Sequence, residues 1–578
     1  MATLFAELKR RNVVRVAAAY AAAAWLVAQV AETVFPVFDL PGQLLRGLFI
    51  VLALGFPVTI VLAWVYDLTP QGIRRTDDLP AEAVRVSGRG LDFLIIGCLT
   101  VAVIFLVLDR VAWQPTGDAS GTAVAVLPFT VRSPDPEIGY LGESIADSLV
   151  MRLSRLPGLK VKSRFSHGPD ARGPADLQAL GVELGVRAVC RGELMRRDDL
   201  LEVTVELIDV VDGTVLWNDR LVRNFANLVS LESDVSAEIA AALSVELTAE
   251  EAAGLARPPT GNAEAYRLYL EGRHFWNQRS QAGLRASAER FRRAVDLDPA
   301  YALAWSGLAD SYLMLYAWGI EAPPAVAPLA YAAAQRAAEL DATLAEPWAT
   351  IGYYKTLYEL DWDGAQDAFL ESIRLNENYS TARHWYAFYL STIGDSKAAI
   401  AQIMKAREAE PLSPVINGEV GLFLVYDGQY RRAIEELKPA QLWNPDFPSL
   451  LISLARAHAM LGNKKIASEM VDRLNPYFAD NYVAQGFISV VLPKVGRADE
   501  ARAIYEQLAL QSENAYVMPS VPGMVAAALG DNDAAFRHFE AALDDHALIA
   551  SWLRDPLIAG LAEDPRYAAM LERIGLPP

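Results

Sequence analysis

Three uncharged, apolar stretches lie in the first 113 residues of the chain. They cover residues 16–31, 47–66 and 93–108, and a charged residue bounds each of them on both sides. The hydrocarbon core of a bilayer is about 30 Å thick and takes roughly 20 helical residues to cross. The pattern predicts a membrane region over 1–113, with three transmembrane helices in the lipid bilayer at about 13–35, 45–67 and 92–113. The alternatives are a signal peptide for the first stretch, or buried helices of a soluble protein for all three.

Basic residues are unevenly placed around these stretches. Four precede the first stretch and four lie between the second and the third: Lys9, Arg10, Arg11, Arg15, Arg74, Arg75, Arg85 and Arg89. Lys and Arg concentrate in the cytoplasmic loops of membrane proteins. The predicted location is the bacterial inner membrane, with the N-terminus cytoplasmic and the residues after about 113 periplasmic.

Residues 121–248 alternate between strand and helix patterns. Strands are predicted at 122–131, 159–161, 188–195, 201–210 and 214–223, and helices at 138–156, 175–184 and 227–247. Asp212 and Gly213 form a hairpin turn signal between the last two strands. This order of elements predicts a small α/β domain.

The same residues resemble a known bacterial domain. The resemblance lies in three runs: AVLPF (125–129), SPDPEIGYLGESIADSLVMRLSRLPGLKV (133–161) and LGVRAVCRGELMRRDDLLEVTVELIDVVDGTVLW (184–217). They look like the TolB amino-terminal-like domain, here over 118–250. In related chains a class III cyclase domain or a ToxR-like winged helix precedes this domain, and here the apolar stretches stand in that position.

A repeated pattern begins at residue 262. The ends of successive predicted helix pairs fall at spacings of 43, 35, 34 and 34 residues: Pro299, Ala342, Glu377, Pro411 and Pro445. Ten residues after each of these a small residue recurs, where two helices approach closely: Ala309, Gly352, Ala387, Gly421 and Ala455. A period of 34 resembles tetratricopeptide (TPR) repeats. The resemblance implies an all-α TPR solenoid over 262–578 with a C-terminal cap, although the apolar pattern fades after residue 445.

Composition and charge narrow the function classes. The 578 residues include 52 Lys and Arg against 71 Asp and Glu, a net charge of −19, and this acid excess predicts no nucleic-acid partner. The two cysteines exclude a disulfide scaffold and a zinc ribbon. The chain contains no H-x-x-x-H pair, Walker A run, dinucleotide fingerprint or nucleophile elbow. We therefore predict no metal, no cofactor and no catalytic residues.

Candidate binding residues follow from the repeat register. TPR proteins bind partners on the concave face that their first helices form. The family pattern predicts a protein or peptide site on that face, with these members: Tyr353, His384, Phe388, Tyr426 and Arg456. Aromatic and arginine side chains are common binding hot spots. The alternative for any one of them is packing between repeats.

Together these patterns predict a multi-domain chain: transmembrane helices, then a small α/β domain, then an all-α TPR solenoid. The leading functional hypothesis is a non-enzymatic, membrane-anchored scaffold that binds a protein or peptide in the cell envelope. The alternative is a transmembrane signal transducer whose external domain senses a ligand and couples to a membrane partner. An enzyme is the third class.

Overall fold

The computed structural model of the chain divides into two compact units, Met1–Gly117 and Asp118–Pro578. In the first unit the structure describes scattered helical positions within 17–27 and 52–59, and strands at 66–69 and 72–75. In the second unit it describes residues 122–577 apart from these gaps: 134–137, 164–173, 198–199, 225–227, 246, 479–480, 514–515 and 548–549. The division of the chain into domains 1–113, 118–250 and 262–578 stays a prediction.

In the first unit, two helical segments meet at Tyr20. The Tyr20 hydroxyl donates a hydrogen bond to the carbonyl oxygen of Leu52 at 2.8 Å, and the Tyr20 ring lies 5.8 Å from that of Phe56. Strands β1 (Tyr66–Thr69) and β2 (Gly72–Arg75) form an antiparallel hairpin.

The prediction of transmembrane helices is wrong for the fold that the structure describes. None of the helices in the described part of the chain combines the length and the apolarity needed to cross a bilayer. The predicted span at 92–113 lies outside the described residues, as do most positions of those at 13–35 and 45–67. For the first predicted span the reason lies in length, because the stretch 16–31 holds only 16 uncharged residues where about 20 are needed. The periplasmic location depends on those spans and stays a prediction.

The second unit begins with a small α/β domain, as the sequence predicts. Its elements are β3 (Thr122–Val126), β4 (Thr130–Val131), α1 (Leu141–Leu153), β5 (Leu159–Ser163), α2 (Pro174–Leu184), β6 (Ala188–Arg197), β7 (Leu200–Asp209), β8 (Val215–Asn224), α3 (Leu228–Ala242) and α4 (Ala249–Ala256). The sheet order is β5-β3-β6-β7-β8, with β4 paired to β6. Strand β3 runs parallel to β5 and β6, and β6, β7 and β8 are antiparallel neighbours.

The alternation of side chains along β3 separates two cores. Val124 and Val126 belong to a large core that includes α1, α3 and the helical repeats. Ala123 and Ala125 belong to a smaller core on the opposite face, which Leu177 of α2 helps to form. Because successive side chains of a strand point to opposite faces, one strand serves both cores. The face with α1 is therefore continuous with the repeats.

Six helix pairs follow. Their first helices are α5 (Ala263–Asn277), α7 (Ala302–Ala317), α9 (Glu346–Tyr354), α11 (Ser380–Thr392), α13 (Pro414–Tyr426) and α15 (Pro448–Met460). Their second helices are α6 (Gln281–Leu297), α8 (Pro323–Leu340), α10 (Trp362–Leu375), α12 (Ser396–Ala409), α14 (Tyr430–Trp443) and α16 (Lys464–Phe478). A π-helical turn, Lys355–Glu359, extends α9.

The chain ends in shorter helices. They are α17 (Tyr482–Ser489), α18 (Leu492–Val495), α19 (Ala498–Ser512), α20 (Ser520–Leu529), α21 (Asn532–Asp544) and α22 (Pro565–Arg573). Between α21 and α22 lie two 3₁₀ helices, Ala550–Arg554 and Pro556–Glu563. We call residues 546–577 the C-terminal cap.

The 34-residue period is confirmed by the helices themselves. Helices α9, α11, α13 and α15 begin at 346, 380, 414 and 448. The turns that lead into second helices hold glycines with positive φ at the same spacing: Gly394, Gly428, Gly462, Gly496 and Gly530. Such turns favour glycine because it has no Cβ to clash in the left-handed region. These glycines extend the period to residue 530, well past the point where the apolar pattern fades.

Gly421 tests this register, because it occupies the small position of α13. A Cβ placed there meets a Leu437 methyl at 2.5 Å and the Ser453 Cβ at 2.9 Å. We expect Gly421→Leu to lower stability by about 1–3 kcal/mol or more through overpacking, and to lower the first thermal transition of the full chain. Gly254 is the control, because a Cβ there meets nothing within 4 Å. Equal melting curves for Gly421→Leu and Gly254→Leu would contradict the register.

Candidate functional site

One residue of each first helix lies directly after the small position and forms a row along the repeats. We call these residues the groove row: Arg273, Asp310, Tyr353, Phe388, Leu422 and Arg456. A second set of residues lies three positions before the row position of the next helix along the chain. We call them the facing residues: Thr350, Trp385, Glu419, Ser453 and Phe487. The two sets describe how neighbouring first helices meet.

Three of the facing residues contact the row residue of the preceding repeat, whereas the Ser453 hydroxyl donates a hydrogen bond to the carbonyl oxygen of Gly418. The Thr350 hydroxyl donates a hydrogen bond to the carboxylate of Asp310. In the next repeat, the ring of Trp385 stacks on that of Tyr353, with centroids 4.9 Å apart and an interplanar angle of 13°. Offset stacking of this kind stabilises aromatic pairs beyond their buried area.

The same pairing recurs at the far end of the row. The guanidinium of Arg456 lies over the ring of Phe487, 3.8 Å from its centroid. Three repeat boundaries therefore obey one rule. Applied to the boundary between α11 and α13, the rule puts Glu419 opposite Phe388.

The α/β domain closes one end of the groove row. The Nε and Nη2 atoms of Arg273 donate hydrogen bonds to one carboxylate oxygen of Asp147 on α1, at 2.9 and 2.8 Å. Both side chains are buried. Further along this side, Arg155 pairs with Glu346 at the start of α9, at 2.8 Å. The α/β domain thus contacts the second half of α5 and the beginning of α9.

The C-terminal cap closes the other end. Arg456 forms an ion pair with Asp555, and neither side chain has exposed surface. Arg456 also donates a hydrogen bond to the carbonyl oxygen of Phe487 at 2.8 Å. A side chain without exposed surface has no face to offer a partner, so Arg456 holds the cap in place and does not join the binding surface.

Other cap contacts fall at the ends of two first helices and at the start of the second helix α10. The Tyr316 hydroxyl, in the last turn of α7, hydrogen-bonds the carbonyl oxygen of His546 at 2.8 Å. The Arg554 Nε donates to the carbonyl oxygen of Thr392, the last residue of α11, at 2.9 Å. The Trp362 indole donates to Ile574 at 2.7 Å. The first-helix face therefore lies between the α/β domain on one side and the cap on the other.

The structure brings the predicted aromatic residues together only in part. Tyr353 is buried between Trp385 and Phe388, and the Phe388 ring meets it edge-on at 5.4 Å. Phe388 and Tyr426 are half-buried. Tyr426 lies at the end of α13 and lines a pocket of about 280 Å³ together with Ser391 of α11, Ser396 of α12 and residues of the cap. Phe388 and Tyr426 therefore keep surface for a partner.

Buried titratable groups line the repeats beside this face. Burial, and after it the charge of Arg279, lowers the pKa of His384 to about 3, so this half-buried imidazole is neutral at pH 7. Burial raises the pKa of Asp310 to about 7, against the effect of its Thr350 hydrogen bond. Burial raises the pKa of Glu410 to about 7 as well, against its Ser380 hydrogen bond. His384 is thus a neutral neighbour of the aromatic cluster.

Metal and nucleophile chemistry have little support in the described part of the chain. Within it, no three His, Cys, Asp or Glu side chains are grouped so as to hold a metal ion. Cys190 lies buried in β6, and burial raises the pKa of its thiol to about 12. A thiol of that pKa is a poor nucleophile at neutral pH, because the thiolate is the reactive form.

Sequence reasoning missed five of these residues: Arg273, Asp310, Trp385, Glu419 and Phe487. The repeat register could have predicted them. Arg273 and Asp310 occupy the same register position as Tyr353, and the other three residues lie three residues before that position. The ion-pair partners Asp147 and Asp555 lie 126 and 99 residues from their arginines. No periodic pattern links positions that far apart.

No protein-family model matches the chain. The resemblance to the TolB amino-terminal-like domain therefore stays a prediction. Among curated proteins, the chain is similar to "Putative adenylate cyclase 3" of Rhizobium meliloti (strain 1021), with 29% identity over 242 residues. The match covers 42% of this chain and 40% of that protein. The chain thus spans less than half the length of this relative.

Among solved structures, the similar chains include TPR proteins. PilF of Pseudomonas aeruginosa has 15% identity and a TM-score of 0.28, over 36% of this chain and 93% of that chain. YrrB, a TPR protein with an unusual peptide-binding site, has 19% identity and a TM-score of 0.24, over 34% and 97%. The human IFIT1 dimer with PPP-AAAA has 16% identity and a TM-score of 0.34, over 54% and 77%. Scores this low carry no functional argument, and the TPR-like architecture rests on the helix pairs and their spacing.

Proposed function

We propose that this chain is a non-enzymatic scaffold whose repeats bind a protein or peptide segment on the first-helix face, between the α/β domain and the C-terminal cap. The observation that carries the proposal is the half-buried aromatic surface of Phe388 on α11 and of Tyr426 on α13, one helical turn after the row residue Leu422. Neighbouring repeats of a solenoid align equivalent faces along one groove. That geometry suits an extended or helical segment.

The rigidity of the groove supports this function. Tyr353 and Trp385 stack behind Phe388 and hold its ring edge-on. The cap and the α/β domain fix the two ends of the row through buried ion pairs. A site that is ordered before binding loses less conformational entropy when a partner arrives.

The α/β domain, as a TolB amino-terminal-like module, contributes a fixed boundary to the groove in this proposal and no chemistry of its own. The alternative of a transmembrane transducer depends on membrane-spanning helices and is not proposed. The activity in the name of the Rhizobium relative is not proposed for this chain, because the match covers 40% of that protein.

The test is selection of short random peptides on the immobilised full chain, followed by affinity measurements on the enriched sequences. We expect a shared peptide motif to emerge. Phe388→Ala and Tyr426→Ala should each weaken its binding by at least about tenfold, since anchor side chains at such sites contribute about 2 kcal/mol or more.

The matched control is Leu442→Ala on the second helix α14. Leu442 is 83% exposed and lies on a different face from the groove row, so its loss should leave affinity unchanged. Melting curves of all three variants separate binding from folding. The proposal fails if no motif is enriched, if single-stranded RNA binds in place of peptides, or if Leu442→Ala alone weakens binding.

A further inference from the structure

We propose that Phe388 and Glu419 form a subsite for a basic side chain, so that the segment bound in the groove carries a lysine or arginine at that point. This inference rests on the proposed function and names the chemistry of its ligand. The aromatic face would take the charged group by cation–π attraction, and the carboxylate would form the ion pair.

The repeat register places the two groups together. Glu419 on α13 is a facing residue, and Phe388 on α11 is the row residue of the preceding repeat. At three other boundaries the equivalent pair is in direct contact, as Trp385 on Tyr353 and Phe487 under the Arg456 guanidinium show. After burial, the charge of Glu419 raises the pKa of the Tyr353 hydroxyl, which agrees with a carboxylate that faces this aromatic cluster.

In the described part of the chain, the Glu419 carboxylate lacks the hydrogen-bond donor that offsets the burial of the other acids of the groove. Among the described residues no hydrogen bond or ion pair to its carboxylate is present, and burial alone raises its pKa to about 7. Asp310 and Glu410 each accept a hydroxyl hydrogen bond. A desolvated carboxylate is costly unless a cation or a donor pairs with it. A cation that pairs with this carboxylate would offset the cost of its desolvation, and that free energy would contribute to binding.

The chain contains a filled version of the same arrangement. At the end of the row, the guanidinium of Arg456 lies over the ring of Phe487 and pairs with Asp555. The arrangement there is an aromatic ring, a carboxylate and a cation. At the boundary between α11 and α13 the repeat register supplies the Phe388 ring and the Glu419 carboxylate, and among the described residues no ion pair to Glu419 is present. The ligand that completes the set is a cationic side chain.

Charge complementarity extends beyond this pair. Residues 111–578 carry 62 acidic and 42 basic side chains, whereas residues 1–110 carry nine and ten. An acidic repeat region attracts a basic segment and raises its association rate. Cations lie favourably within about 6 Å of an aromatic centroid, and desolvation strengthens the attraction.

The experiment uses peptide pools that differ at one fixed position, with all other positions random. The fixed residue is lysine, arginine, norleucine or glutamate, and binding to the full chain is measured for each pool. We expect the lysine and arginine pools to bind about tenfold more tightly than the norleucine pool, and the glutamate pool to bind most weakly. Norleucine keeps the four-carbon chain of lysine without its ammonium group, so this comparison needs no protein variant.

Glu419→Gln, which keeps the shape of the side chain, should abolish the difference between the lysine and norleucine pools. The matched control is Glu435→Gln on α14, an exposed acid outside the groove, which should preserve that difference. If all pools bind equally to the original chain, the subsite proposal is overturned and the scaffold proposal stands. If no pool binds, the scaffold proposal itself fails. A preference for basic residues that survives Glu419→Gln would place the basic subsite elsewhere.

Discussion

Replacing Asp555 by alanine is expected to lower the free energy of unfolding of the helical repeats by about 3–5 kcal/mol, because it leaves Arg456 buried without a counter-charge. Neither side chain has exposed surface, so the variant leaves the Arg456 charge in a buried site. The cap would also lose its ion pair to α15. The measurement is the guanidinium midpoint of the full chain, followed by circular dichroism.

Two controls sharpen this result. Glu540→Ala removes a carboxylate from an ion pair in which both partners are about half exposed, and it should cost less than about 1 kcal/mol. The double variant Arg456→Met, Asp555→Leu replaces both charges with apolar groups and should recover most of the loss. An Asp555→Ala midpoint equal to that of Glu540→Ala would mean that the cap does not depend on this pair.

The second large effect is expected at the opposite end of the row. Asp147→Ala leaves Arg273 buried between the α/β domain and α5, at a cost of about 3–5 kcal/mol. Since this pair joins the two parts of the unit, the loss should appear as separate unfolding of the α/β domain. Protease susceptibility around residues 246–262, together with a split thermal transition, measures the effect.

The control for that variant is Glu193→Ala on the sheet. Glu193 pairs with Arg132 at 2.7 Å, but both side chains are more than half exposed, so the loss should be small. A single, unshifted transition for Asp147→Ala would contradict the view that Arg273 anchors the α/β domain. The same outcome would leave the groove without a fixed boundary on that side.

The helix pairs could be predicted from the sequence because their packing is local and periodic. The small residues Gly352 and Gly421 sit where a Cβ would meet Phe369 or Leu437 of the paired second helix, so their spacing reports the repeat directly. The strands of the α/β domain were predictable for a related reason. Alternation along β7 places Val203, Val205 and Leu207 on the buried face.

The transmembrane prediction failed because absence of charge is a weaker signal than periodicity. It does not specify what an apolar stretch packs against. The role of Arg456 was missed for another reason, because its partner Asp555 lies in the C-terminal cap, 99 residues further along the chain. Long-range closure of this kind leaves no trace in a 34-residue period.

The central claim is that a peptide segment binds on the first-helix face between the α/β domain and the cap. Amide hydrogen exchange of the full chain, with and without a saturating selected peptide, tests it most directly. The account predicts that added protection falls on α9, α11 and α13. Protection confined to the second helices α12 and α14, or to the α/β domain, would contradict it.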